Sequence, residues 1–242
     1  MRQVADNVFA LGTRGHNFYL VRDGDELTMI DAGCSKEWKH VMAGVESLGL
    51  GVDAISGVIA THAHSDHFGL ATTAVANDID VSVHEDEERR ATGRYEGRFS
   101  AQANDLPMFR IHTLRAFVPM LFRGVMHLEF PDSVSTFADG DILDLPGQPE
   151  AIHTPGHTEG HVMFHLAERG ILFTGDGLAT MDLVSSKLGP QAMDRVFDLN
   201  PEQAQASLDR IIDVDASLLL PGHGRPWSGS PRDAVSLVRA DA

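Results

Sequence analysis

The chain has one cysteine, Cys34, among 242 residues, so no internal disulfide framework can brace it. Basic residues are scarce: 19 Lys and Arg stand against 35 Asp and Glu, a net charge of −16 at pH 7. A charge of that sign repels phosphate backbones and counts against nucleic acid as a partner. No apolar run reaches the ~18 residues that suggest a membrane span. The opening MRQVADNVFALG lacks the basic-then-apolar pattern of a secretory signal. A cytoplasmic protein with no membrane span is therefore expected. Hydrophobic residues still make up 43% of the chain, which excludes a disordered one, and the length is enough to bury a sizeable core.

No linker, low-complexity tract or short-period repeat divides the chain, and a single domain over residues 1–242 is expected. Strand-like and helix-like segments alternate. HNFYLV (16–21), a DGDE turn and LTMIDAG (27–33) read as a hairpin, with Asp-Gly as the turn signal. A helix is predicted over 36–48, with Ser35 as its N-cap and Gly49 just past its end. The apolar run SGVIA (56–60) reads as a buried strand. Later, HVMFHL (161–166) and ILFTGD (171–176) read as a second hairpin. Asn200 and Pro201 open a helix running to about residue 212, and ASLLLPGHG (216–224) reads as a strand ending in a loop. Between the halves, residues 85–131 begin charged and end apolar, and Pro119 should interrupt one or two helices there. This helical insertion packs on the core, lines an apolar pocket through Met108, Phe109, Phe117, Met120 and Phe122, or forms a homodimer interface.

What the chain does have is histidine, and it is concentrated. THAHSDHFG (61–69) places three histidines and an aspartate within six residues. His62 and His64 are two apart, so at an extended strand end their rings share a face. Asp66 and His67 follow on a turn and can face a second point. Neutral imidazole and carboxylate together suit zinc, iron or manganese. Other candidates end apolar strands or sit in glycine-rich turns: His157 in HTPGHTEGH, Asp176 in FTGD and His223 in PGHG. Reactive groups on loops held by a rigid sheet are the usual arrangement for a site. The remaining histidines His16, His40, His84, His112, His127 and His165 carry no motif.

In this order, THAHSDH, TPGHT, TGD and PGHG resemble the metallo-β-lactamase superfamily over residues 7–226, with glyoxalase II-like and lactonase-like metal motifs. The resemblance implies an α/β fold, a four-layer αβ/βα sandwich with the site on one edge. It implies two Zn2+ ions, iron or manganese being alternatives: His62, His64 and His157 for the first, Asp66, His67 and His223 for the second, and Asp176 between them. A metal-bridging hydroxide would then attack an ester-like acyl bond, a thioester or lactone, in a small-molecule or acyl-chain substrate, with Asp66 orienting it or moving a proton. Asp31 is expected beneath the ligand loop, and His153 and His161 as structural neighbours. The chain departs from glyoxalase II in carrying only nineteen residues after His223, and from quorum-sensing lactonases in placing no tyrosine near Asp176. The alternative is a persulfide dioxygenase-like enzyme with one iron on His62, His157 and Asp176. A metal-stabilised binding protein would show eroded ligands, and none is missing.

Overall fold

The structure, a computed structural model, describes residues 1–13, 15–97 and 111–240. A seven-stranded sheet runs in chain order: β1 (Arg2–Ala5), β2 (Val8–Gly12), β3 (Asn17–Asp23), β4 (Glu26–Ile30), β5 (Ile55–Ile59), β6 (Val81–His84) and β7 (Ser135–Phe137). The first four strands pair antiparallel and the rest parallel. A second sheet draws on β8 (Glu150–His153), β9 (Val162–Leu166), β10 (Ile171–Gly175), β13 (Leu218–Pro221) and β14 (Trp227–Ser228), in the order β14-β13-β10-β9-β8. A two-stranded ribbon, β11 (Ala179–Met181) with β12 (Leu188–Gln191), stands beside them. The helices are α1 (Trp38–Ser47), α2 (Ala71–Val75), α3 (Glu88–Ala91), α4 (Ile111–Arg123), α5 (Pro201–Ser207) and α6 (Pro231–Ala240).

Strand alternation explains the layers. In β3, Tyr19 and Val21 point into a core shared with Phe164, Phe173 and Leu220 of the second sheet. Phe18 and Leu20 point the other way, into a cluster with Val41 and Val45 of α1 and Ala71 of α2. The second sheet repeats this, with Met163, Leu172 and Leu219 facing Ala234, Val235 and Val238 of α6. A period of two, buried on both faces, makes two sheets face to face with helices outside, the αβ/βα sandwich expected.

Both hairpins form where predicted, β3 with β4 and β9 with β10. Asn200 caps α5 by accepting from the Gln203 amide, with Pro201 at the first helical position. Three details differ. Ser35 does not cap α1: Glu37 occupies that position, and the Ser35 hydroxyl donates to the Gly124 carbonyl at 3.0 Å. Pro119 does not break α4, which runs through it from Ile111 to Arg123, although its ring removes the amide that would bond the Arg115 carbonyl. Of the five apolar residues proposed for a pocket wall, Met108 and Phe109 lie outside the described residues. Phe122 is 80% exposed, Met120 is buried, and Phe117 stacks on Phe197. No helix among the described residues is long and apolar enough to cross a membrane.

Candidate metal centre

Parallel pairing brings the site together. β4 and β5 run side by side and deliver Asp31 and the 61–69 loop to one edge. β10 and β13 do the same for Asp176 and His223. The two sheets meet there through Val162 N–H on the Thr61 carbonyl (2.9 Å) and Asn17 N–H on the Gly222 carbonyl (2.7 Å). All seven sequence-nominated residues converge. His64 Nδ1 lies 3.0 Å from both His62 Nε2 and His157 Nε2. Asp176 Oδ2 lies 3.4 Å from His157 Nε2 and 3.9 Å from His62 Nε2. The same oxygen is 3.1 Å from His223 Nε2, and Oδ1 is 3.2 Å from His67 Nε2. Asp66 Oδ2 stands 3.7 Å from His67 Nε2 and 3.6 Å from His223 Nε2. Two groups that could each hold a metal ion result: His62, His64, His157 and Asp176, and Asp66, His67 and His223.

The outer nitrogens decide the proton positions. His157 Nδ1 donates to Asp198 (2.9 Å), His67 Nδ1 to Asp31 (2.7 Å) and His223 Nδ1 to the Gly15 carbonyl. The Thr61 hydroxyl donates to Asp31 (3.0 Å) and so can accept from His62 Nδ1 (3.0 Å). With His62 and His157 protonated on their outer nitrogens, their inner Nε2 atoms turn lone pairs toward His64 Nδ1 at hydrogen-bond distance. His64 Nε2, His67 Nε2 and Asp176 Oδ1 are buried with no hydrogen-bond partner. The convergent acceptors His62 Nε2 and His157 Nε2, with the Asp176 carboxylate whose Oδ1 is buried and unpartnered, are what a divalent cation satisfies, and the residues fit it.

Electrostatics sort the same residues. Burial, then the neighbouring His67, holds the His62 pKa well below the ordinary imidazole value. Burial, then His157, takes His64 down to about 3. Burial also opposes charge on His67, but the carboxylates of Asp176, Asp31 and Asp66 outweigh it and raise its pKa well above the usual range. His223 is raised against burial by Asp176 and Asp66. Burial works against the Asp176 carboxylate, yet His223 and His67 hold it well below the ordinary range. Asp66, opposed by burial, is lowered by His67 and His223.

Asp31 lies beneath the ligand loop, as the resemblance implied: it also accepts the Thr61 amide at 2.7 Å and adopts φ +61°. His161 accepts the Asp176 and Gly177 amides on Nε2 (3.2 Å each) and donates from Nδ1 to the Thr154 hydroxyl (2.9 Å), so it shapes the turn that carries Asp176. Cys34 is buried, and burial pushes its thiol pKa up. His16, read as motifless, is buried against Glu37 at 2.6 Å, and Glu37 also accepts the Cys34 amide and faces Arg123. Sequence reasoning missed Asp198, Glu37 and the Gly15 carbonyl. A weak signal existed for Asp198 alone, an acid just before the Asn200 cap.

Residues 11–223 match the family model of the metallo-beta-lactamase superfamily, and the chain belongs to that superfamily of metal-dependent hydrolases. It is 24% identical over 245 residues to a probable metallo-hydrolase, YflN, of Bacillus subtilis, covering 94% of this chain and 87% of that one. It is 26% identical to an atrochrysone carboxyl ACP thioesterase of Aspergillus fumigatus, covering 93% of this chain and 55% of that relative's length. Among solved structures, the metallo-beta-lactamase family protein TTHA1429 from Thermus thermophilus superposes with a TM-score of 0.70 at 22% identity, over 99% of this chain and 80% of that one. TTHA1623 in a di-iron-bound form gives 0.57 at 26% identity, over 91% and 93%.

Proposed function

We propose that the chain is a dinuclear hydrolase of an ester-like acyl bond, a thioester or lactone, in a small-molecule or acyl-chain substrate. The observation that carries this reading is the position of Asp176, whose carboxylate faces His62 and His157 on one side and His67 and His223 on the other. His62, His64 and His157 would hold one ion, Asp66, His67 and His223 the other, and Asp176 both. Zinc is the proposed occupant, and the di-iron form of TTHA1623 keeps iron as the alternative. When bound, such ions supply a water of lowered pKa and a Lewis acid for the acyl oxygen.

The chain's own groups do the rest. Asp31, Thr61, Asp198 and the Gly15 carbonyl hold protons on the outer nitrogens of His67, His62, His157 and His223, so that the inner nitrogens are the ones turned toward an ion. Burial of His62, His67, His157 and His223 excludes bulk water from the ligand side. Asp66 has the most exposed side chain of the set, 13%, and is ionised at neutral pH, so its carboxylate can orient a nucleophilic water and take its proton. The match to a fungal ACP thioesterase supports an acyl thioester as the first substrate to try. The test is metal content of protein purified without added metal, followed by thioester and lactone turnover in wild type and His62→Ala. About two zinc per chain, and turnover lost in the variant, are expected. One iron per chain with oxygen uptake on persulfides would replace this reading by the mononuclear oxygenase. Full turnover in His62→Ala would end the site assignment.

A further inference from the structure

Glu87 lies in the turn between β6 and α3 and is 1% exposed, although it belongs to the charged run EDEERR. Each of its carboxylate oxygens is committed to a different ligand-bearing loop. Oε1 accepts the amide of Ala63, the residue between His62 and His64, at 2.9 Å. Oε2 accepts the amide of Gly160, three residues beyond His157, at 3.0 Å. Arg90, also 1% exposed, sets its Nε 3.4 Å from Oε1 and its other arm 3.1 Å from Glu159 of the same loop. The Tyr95 ring covers that guanidinium at 3.8 Å, and its hydroxyl donates to Glu159 at 2.6 Å. Gly160 approaches so closely that a Cβ there would stand 2.4 Å from the Glu87 nitrogen, which only glycine allows.

We propose that Glu87 is a positioning residue of the metal centre: it clamps the 61–69 loop against the 154–161 loop, so that His62, His64 and His157 converge before any ion arrives. The inference rests on the metal-site reading above. Both loop groups that Glu87 meets are donors, and only a carboxylate offers two acceptor oxygens in that geometry. Glutamine would turn its own N–H2 toward one of the two amides and release that loop. Pre-set loops leave less ordering to be done on binding, which is how groups behind the ligands govern affinity.

The test uses the full chain as Glu87→Gln and Gly160→Ala, the second disturbing the same contact from the other side. Zinc affinity is read by chelator competition, ligand geometry by the visible spectrum of the cobalt-loaded protein, and folding by far-ultraviolet circular dichroism. Folded variants with zinc affinity about 10–100-fold weaker and an altered cobalt spectrum are expected. Native affinity and a native cobalt spectrum in folded Glu87→Gln, whatever its melting temperature, would overturn the clamp. If neither variant folds, amide exchange in metal-free wild type decides: protection of Ala63 and Gly160 comparable to β5 and β9 supports the clamp, and fast exchange overturns it. His62→Ala runs alongside, and native zinc affinity in that variant would overturn the metal-site reading itself.

Discussion

Two clusters in this chain are built from the same residue types, histidine and aspartate, in opposite geometry. At the metal centre the rings of His62, His64 and His157 stand nearly perpendicular to one another, at 80–89° with centroids 4.6–4.7 Å apart. Their edges aim at one point. Across β6 and β8, His84 and His153 lie flat on each other, 15° apart with centroids at 4.0 Å, and Asp86 stands 3.9 Å from both. Stacked rings send their lone pairs along parallel planes. Their nitrogens are also engaged: His84 Nδ1 accepts the Asp86 amide, and His153 Nε2 donates to the Glu159 carbonyl. Histidine and carboxylate in proximity are thus not sufficient. A ligand set needs inner nitrogens that are bare and convergent, and it gets them from outer partners that hold the protons.

The largest expected effect removes the bridge between the two halves of the centre. Asp176→Ala should lower turnover by about 10³-fold, since Lewis-acid stabilisation is worth several kcal/mol, and metal analysis should show at least one ion lost. The matching change at the other cluster, His153→Ala, should leave metal content unchanged; a lost ion there would erase the contrast. An intermediate effect comes from an outer partner. Asp198→Ala should weaken zinc binding about 10–100-fold by chelator competition, whereas Asp198→Asn, which keeps an acceptor oxygen, should retain most of the affinity. Equal losses in both would show that charge rather than orientation matters at His157.

Metal-free stability should show the opposed histidines directly. His67 and His223 have raised pKa values, so their stabilisation is complete below the unfolded value of about 6.5 and fades as pH rises through the folded one. His62, His64 and His161 are lowered, His64 to about 3. Their contribution is present above about 6.5 and is lost as pH falls. Urea unfolding of the metal-free chain should therefore be hardest near pH 6–7, roughly the unfolded histidine pKa. Added zinc should move the optimum upward, because binding displaces the protons of His67 and His223. The smallest effect expected is on folding alone. His161→Ala leaves the Asp176 and Gly177 amides without their acceptor and should cost about 2 kcal/mol in urea unfolding.

The legible part of the site was what chain neighbours share. THAHSDH places four of the seven residues in one loop, and each of the others ends a strand or sits in a glycine-rich turn that the apolar pattern marks. The supporting groups were illegible because their partners are far away in sequence: 41 residues from His157 to Asp198, 24 from Ala63 to Glu87 and 208 from Gly15 to His223. Nothing local separates Asp198 from an ordinary helix-flanking acid. Ser35 misled for the converse reason, since a serine before a helix is a good cap until a distant carbonyl, here that of Gly124, takes its hydroxyl.

By itself, then, the sequence determined the two hairpins, the strands that lead into the 61–69 loop and into His223, and the seven residues to look for, because alternation, turn residues and motif order are local properties of the chain; the sandwich followed from the resemblance that those motifs carry. Only the tertiary structure decided which nitrogen of each histidine faces inward and which histidine pairs merely stack. It also decided which buried acid joins the two loops. Those depend on hydrogen-bond partners that the fold brings from other strands, and a proton sits where its acceptor is.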